Sequence, residues 1–301
     1  MDKPLVTIIV LTYNKFNFFK ECMDSILMQH YPKIDLIISD DGSDDFDMGF
    51  IKSYINENKK SNIINVNIIH HDKNMGTVKN YNNAIKLSRG KYIIGLAIDD
   101  CFHNSDVIGS IVKFFIETKA SIITSYRDVY DEQFTRFVER LPQKREVEIL
   151  NSNNNIYRIL CKHSFISGAC TYYSKEFFEK YGLFDECYKL TEDYPKYLQV
   201  ERNQCKIRFL NKPTIKYRLG GISSSNKVNP LFKKDYETAI LKEILPYKKD
   251  TGIFINRFRR FEYYRMTNKK TTYKLMLLFP DIVLYKIVFK LRNKTLFNFL
   301  L

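Results

Sequence analysis

Apolar, β-branched stretches and amphipathic stretches take turns through the first 126 residues of the chain. Residues 6–12, 36–39, 63–69, 92–98 and 121–126 read as buried strands, and residues 18–28, 48–58, 78–88 and 107–118 read as helices between them. Strand and helix alternating at this length form crossover units, which lay strands parallel in one sheet with helices on both faces. The expected fold class is therefore α/β, a doubly wound, mostly parallel sheet. Gly90 is expected to end the third helix. Such a sheet binds ligands beyond the carboxyl ends of its strands. Three of those ends carry polar clusters, Thr12-Tyr13-Asn14, Asp40-Asp41 and Asp99-Asp100. No G-x-G-x-x-G turn follows the first strand, which argues against a dinucleotide cofactor.

From about Arg127 the alternation loosens. The polar run 144–155 reads as a loop, and residues 165–171 and 207–217 read as strands flanking a helical stretch near Asp193. After Ser225 the chain turns helical and basic, so two regions are expected, 1–225 and 226–301. There is no internal repeat.

Forty-eight Lys and Arg against 34 Asp and Glu leave a net charge of +14, which favours anionic partners. Nucleic acid, anionic lipid and phosphorylated substrates all qualify on charge. Nucleic acid is not expected, because no recognised binding module is present and acidic strand ends repel phosphates. The six cysteines are scattered, with no C-x-x-C pair and no zinc spacing, and read as reduced thiols of a reducing compartment. No leader with a cleavage site opens the sequence, and no stretch reaches the length of an uncharged spanning helix. A cytoplasmic protein is expected.

Each acidic pair admits two readings. Asp40-Asp41, followed by Gly42-Ser43, fits an Asx turn, or a carboxylate accepting a ring N–H of a base such as uracil. Asp99-Asp100 fits a helix N-cap, or a site for a hard divalent cation, which takes one or two carboxylates plus substrate phosphates. Glu192-Asp193 fits a helix N-terminus, or a general base removing a proton from a hydroxyl. His70-His71 does not make a joint metal site, since neighbours on a strand point to opposite faces.

Taken together and in order, these clusters resemble family 2 of the glycosyltransferases, with the GT-A fold. The resemblance covers roughly residues 4–225. It runs through Val6 to Asn14, Ile38-Ser39-Asp40-Asp41-Gly42-Ser43, Asn74-Met75-Gly76 with Lys79-Asn80, Gly90-Lys91-Tyr92-Ile93, Asp99-Asp100, Gly182 to Glu186 and Thr191-Glu192-Asp193. It implies an inverting transfer from a nucleotide sugar to a glycan or polyprenyl-linked acceptor in surface polysaccharide synthesis. By the same resemblance Asp41 holds the uracil of a UDP-sugar, with Thr12, Tyr13 and Asn14 around the base and ribose. Lys79 faces the nucleotide diphosphate or donor side, Asp99 the ribose or donor sugar, and Asp100 ligates Mg²⁺ or Mn²⁺. Asp193 is the catalytic base, and Glu192 and Gly168 lie on the acceptor side. Gly168, within Ser167-Gly168-Ala169, could equally be a tight packing point.

The chain departs from the family pattern twice. Ala97 stands where many members carry the first Asp of Asp-x-Asp-Asp. In Tyr217-Arg218-Leu219-Gly220-Gly221, Leu219 stands where many carry a His that assists the metal or diphosphate. These departures imply weak metal affinity and keep open a catalytically inactive nucleotide-sugar-binding scaffold. They also suggest Arg218 or Ser223–Ser225 as substitutes at the diphosphate.

In the basic C-terminal region, Leu284, Ile287, Val288 and Leu291 share one face of a helix beginning near Ile282, with Lys286, Lys290 and Lys294 on another. Two readings are open, a helix packed on the domain or an interfacial helix on an anionic membrane.

Overall fold

A computed structural model describes residues 3–152, 154–220, 229–267 and 272–298; the side chains of 272 and 290–298 fall outside that description. Nine strands form one sheet: β1 Val6–Thr12, β2 Ile34–Asp40, β3 Ile63–His70, β4 Tyr92–Ala97, β5 Cys101–Phe102, β6 Ile122–Tyr130, β7 Phe137–Leu141, β8 Thr171–Ser174 and β9 Arg208–Arg218. Their order is β3-β2-β1-β4-β8-β6-β9-β5, with β7 added to β6. The strands β3, β2, β1 and β4 pair in parallel, as the alternation predicts. Beyond β4 the pairing mixes, with β8 antiparallel to both β4 and β6 and β9 parallel to β6.

The helices are α1 Phe19–Leu27, α2 Met48–Asn58, α3 Thr77–Leu87, α4 Val107–Thr118, α5 Lys144–Leu150, α6 Ile156–Leu160, α7 Lys175–Tyr181, α8 Asp193–Arg202, α9 Pro230–Ala239, α10 Lys248–Thr251, α11 Ile253–Met266, α12 Thr272–Leu278 and α13 Pro280–Asn298. They cover both faces of the sheet. On one face Val6, Ile8 and Val10 of β1 pack with Phe19, Met23 and Ile26 of α1 and Ile111 and Phe115 of α4. On the other, Ile9 packs with Val78, Ala84, Tyr173, Tyr197 and Leu198. A strand buried on both faces needs an unbroken apolar run, and β1 supplies one.

Register positions the site. Thr12 of β1 lies opposite Asp40 of β2, and Leu11 lies opposite Ala97 of β4. The three strands therefore end level, and the polar residues that follow them emerge side by side.

Three local expectations are corrected. The run 144–150 is helical, because Gln143 and Glu146 close a capping box that a strongly polar sequence conceals. Residues 165–171 are not a strand: a 3₁₀ turn spans Gly168–Cys170, and pairing with β6 begins only at Thr171. Gly90 does not cap α3, which ends on an extended Ser88. Its role is close approach, since a Cβ there would stand 2.3 Å from the Thr7 backbone nitrogen.

The expected boundary at residue 225 lies outside the described residues. Downstream of it, Ala239, Ile240, Ile244, Ile255 and Tyr263 enter the same core cluster as α8. By contrast, α12 and the start of α13 build a small separate cluster of Phe261, Leu275, Phe279 and Ile282. Among the described residues no helix is long and apolar enough to cross a membrane.

Candidate active site

At the end of β2 the two readings divide between neighbours. Asp40 makes the turn: it accepts from the backbone N–H of Gly42 at 3.0 Å and Ser43 at 2.9 Å, from the Ser43 hydroxyl, and from Nδ1 of His70 at 2.7 Å. The His70 ring stacks on Phe46, so this histidine is structural. Asp41 reaches the other way and accepts from Met75 N–H at 2.8 Å and Gly76 N–H at 2.9 Å. Burial raises its pKa, and the two N–H groups oppose that shift.

Asn14 takes a left-handed conformation (φ 50°). Its N–H donates to Ser43 Oγ at 2.8 Å and its Oδ1 accepts from Asp44 N–H at 3.1 Å. It ties the β1 and β2 loops together and does not line the cavity, which corrects its expected place in the nucleotide pocket.

After β4, Asp99 pairs with Lys15. Asp100 is only 2% exposed, and its Oδ1 accepts the backbone N–H of Arg218 at 2.9 Å. Burial, reinforced by Asp99, pushes its carboxyl well above the usual range. The Arg218 guanidinium donates to the Asp99 carbonyl at 2.9 Å, to the Glu132 carbonyl and to the Glu21 carboxylate, and it lies over Phe18 and Phe134. These bonds use three of its five N–H groups and brace the Asp99-Asp100 turn. Ser223–Ser225 lie outside the described residues.

Asp193 opens α8. Its Oδ1 accepts from Tyr194 N–H at 2.7 Å and its Oδ2 from Gly168 N–H at 2.8 Å. Burial raises its pKa, against those two N–H groups and the positive charge of Arg127. Burial and then Asp193 push the neighbouring Glu192 up to about 8. Both adjacent carboxyls thus hold a proton more readily than a free carboxyl does.

Two adjoining cavities gather these groups. One, of about 290 Å³, is lined by Thr12, Tyr13, Asp41, Asp99, Asp100 and Glu192, with Lys15 beside them. The other, of about 560 Å³, is lined by Gly168, Glu192, Asp193, Arg127, His163 and Phe232. Gly168, Glu192, Tyr217 and Phe232 belong to both. The three acidic pairs therefore meet in one cleft. Lys79 lines an adjoining groove with Lys73, Lys189 and Leu231, and Leu190 belongs to that groove and to both cavities.

Three lining residues escape the sequence reading. Lys15 follows the polar loop directly and could have been taken with it. Arg127 lies where β6 continues past the expected strand end. Phe232 sits in α9, beyond the resembling region, where no signal marks it.

The acidic pair after β4 offers two carboxylates, within the one or two that a hard cation takes beside substrate phosphates. Among the described residues no three His, Cys, Asp or Glu side chains could hold a metal by themselves. The residues thus fit a divalent ion that binds together with a diphosphate.

The model of the family described as glycosyl transferase family 2 matches residues 7–182, more than half the chain. The chain belongs to glycosyl transferase family 2. This family 2 glycosyltransferase is 26% identical over 307 residues to the uncharacterized glycosyltransferase RP339 of Rickettsia prowazekii, covering 96% of this chain and 92% of the relative. Staphylococcus aureus TarS 1-349, solved in complex with UDP-GlcNAc, superposes with a TM-score of 0.61 at 19% identity, over 91% of this chain and 75% of that one. The mannosyltransferase PcManGT of Pyrobaculum calidifontis, solved with GDP-Man and Mn²⁺, gives 0.55 at 14% identity, over 94% and 81%. These likenesses establish the GT-A fold of this glycosyltransferase.

Proposed function

We propose that this glycosyltransferase moves a hexose from a UDP-sugar, with inversion, to a hydroxyl of a glycan or polyprenyl-linked acceptor in surface polysaccharide synthesis. One observation carries the proposal: Asp41 and Asp100 line one cavity, Asp193 lines the next, and Glu192 lies in the wall of both.

In this reading Asp41, Thr12 and Tyr13 hold the uridine, and Asp99 with Lys15 meets the ribose or donor sugar. A UDP donor is supported by the fold shared with the TarS complex. Asp100 would hold Mg²⁺ or Mn²⁺ against the diphosphate, and a bound divalent ion would supply charge to the leaving group. Manganese in the PcManGT complex supports the class of ion. Asp193 takes the proton of the acceptor hydroxyl as that oxygen bonds to the anomeric carbon. The bond from that carbon to the UDP oxygen breaks on the opposite face, and UDP leaves with the bonding pair. Glu192 and Gly168 bound the acceptor side. Lys79, in the adjoining groove that shares Leu190 with both cavities, faces the donor side.

The acceptor's lipid link and the basic C-terminal region fit work at the cytoplasmic face of an anionic membrane. Residues 226–301 carry seventeen Lys and Arg against six Asp and Glu, eleven of the fourteen net positive charges. Leu284, Ile287, Val288 and Phe289 of α13 are all more than half exposed, a large apolar patch for a soluble surface. Lys286 is not part of the lipid-facing set, since its ammonium pairs with Glu262 of α11. Lys290, Lys294 and the side chain of Leu291 lie outside the described residues.

A thermal-shift screen of nucleotide sugars with and without Mn²⁺, followed by transfer assays, tests the proposal. UDP-hexoses should raise the melting temperature most, and UDP should be released on transfer. No stabilisation by any nucleotide sugar would remove the reading.

A further inference from the structure

The strand β6 carries Arg127 and Asp128 side by side, and neighbours on a strand face opposite ways. Asp128 is fully paired: it accepts from Arg140 Nε at 2.6 Å and Nη2 at 2.9 Å, and lies 3.0 Å from His103 Nε2. Arg127 has no such partner. Among the described residues no carboxylate lies within ion-pair distance of it, and its Nε–H is buried without an acceptor. Its guanidinium carbon sits 4.8 Å from the centroid of the Tyr217 ring, which fixes one face of the plane. Leaving a buried N–H of a charged planar donor without a direct acceptor in a cavity wall is costly to folding and is expected where a ligand completes it.

We propose that Arg127 receives an anionic group, phosphate or carboxylate, carried by the acceptor. The inference rests on the reading of the Asp193 cavity as the acceptor side, and it deepens that reading by naming the acceptor's chemistry. Arg127 lines the cavity of Asp193 and not the cavity of Asp41, Asp99 and Asp100, so the donor diphosphate is the lesser claimant. The guanidinium fork matches the paired oxygens of a carboxylate or phosphate, and charge-assisted pairs of this geometry are the strong ones. Of the three carboxyl groups lining this cavity, Glu146 bonds His163 at 3.1 Å and Asp193 holds two backbone N–H groups, and neither they nor Glu192 form an ion pair with Arg127. Phe165, Phe232 and Tyr236 supply apolar walls for a sugar ring beside the anionic group. The charge of Arg127 also favours the ionised forms of Asp193 and Asp100, consistent with a cation standing close to both without contacting either.

The test uses the full chain saturated with UDP and titrated with glucose, glucose 6-phosphate and glucuronate, with binding read by ligand-observed NMR. Both anionic sugars should bind at least about tenfold more tightly than glucose, as expected for a bidentate charged pair. Arg127→Gln should abolish the difference, and Arg127→Lys, which keeps the charge but loses the fork, should reduce it severalfold. A preference for glucose 6-phosphate alone assigns the site to phosphate, and a preference for glucuronate alone assigns it to carboxylate. Equal binding of neutral and anionic sugars by the wild type overturns the inference, as does a preference that survives Arg127→Gln. If Arg127→Gln fails to fold, an undiminished preference in Arg127→Lys overturns it equally. Failure of the wild type to bind UDP is a separate outcome and would strike the donor reading instead.

Discussion

Gly168 donates its backbone N–H to Asp193 Oδ2 at 2.8 Å, and a Cβ at Gly168 would stand 3.1 Å from that same oxygen. The glycine both fixes the carboxylate and leaves room for it. The added methyl of Gly168→Ala would also lie 2.9 Å from Glu192 Oε1, so both carboxyls must shift. A misplacement of about 1 Å can cost about 10²-fold in rate, and the shift needed here is smaller. Gly168→Ala should therefore lower kcat by less than about 10²-fold while UDP affinity, measured by calorimetry, stays within error. A fully active variant would show that the tight contact has no bearing on the chemistry.

Asp193→Asn keeps the shape and cannot take a proton, but its single amide oxygen can accept from only one of the Tyr194 and Gly168 N–H groups and its NH2 faces the other. Transfer should fall by about 10²–10⁴-fold, the range for general bases, with donor binding retained. Steady-state kinetics beside UDP calorimetry would separate the two effects. Turnover near the wild-type rate would take the base role away from Asp193.

Most of the N-terminal half was legible from sequence because its signals are local. Buried parallel strands need unbroken apolar runs, and α2 and α4 begin and end where their periodicity says. Two of the acidic pairs were also legible as neighbours, because they follow β2 and β4, the strands on either side of β1, while the third opens α8. What stayed hidden depends on contacts distant in sequence. Arg218 carried no sign of its partner Glu21, nearly two hundred residues away, to which its guanidinium donates. Asn14 looked like a nucleotide contact, yet it works through Ser43 and Asp44. Arg127 carried no motif at all, and only the folded cavity distinguishes it from the paired Arg140.

Asp41 should prove a mixed residue. Its two oxygens already hold the N–H groups of Met75 and Gly76, so Asp41→Ala leaves two donors without their acceptor. Unmaking such bonds costs about 1–3 kcal/mol. The variant should melt at a lower temperature and also bind UDP about tenfold more weakly, because a carboxylate contact to uracil is lost. Calorimetry well below the melting temperature separates the effects. Unchanged UDP affinity in the folded variant would refute the uracil contact.

Glu192 gives a pH prediction whose sign is fixed by its raised pKa. The unfolded carboxyl ionises near 4.5 and the folded one near 8, so between those values the folded state holds the extra proton. Stability therefore declines as pH climbs through this window and levels off above about 8. Glu192→Gln cannot ionise and should lose that part of the slope. The difference between wild-type and variant melting temperatures across pH 4–9 isolates it from Lys196, whose ammonium is held down to about 8 by burial and acts in the opposite sense. A constant difference across that range would show that Glu192 titrates normally.

On α13 the exposed apolar side chains leave a measurable signature at a lipid surface. Leu284 is 63% exposed and Ile287 51% exposed, so Leu284→Glu with Ile287→Glu should leave the fold intact, since neither side chain belongs to a core cluster. Burying each in the acyl boundary would contribute about 1.5–3 kcal/mol, and nearby Lys and Arg add about 1 kcal/mol apiece on an anionic leaflet. Flotation with phosphatidylglycerol vesicles should therefore recover the wild-type chain, and the double variant at least about tenfold less well. Neutral phosphatidylcholine vesicles, or high salt, should weaken wild-type binding, because most of the charge of residues 226–301 is screened beyond about 3 Å at 1 M. Equal recovery of both proteins would mean that this apolar face is not what meets the membrane.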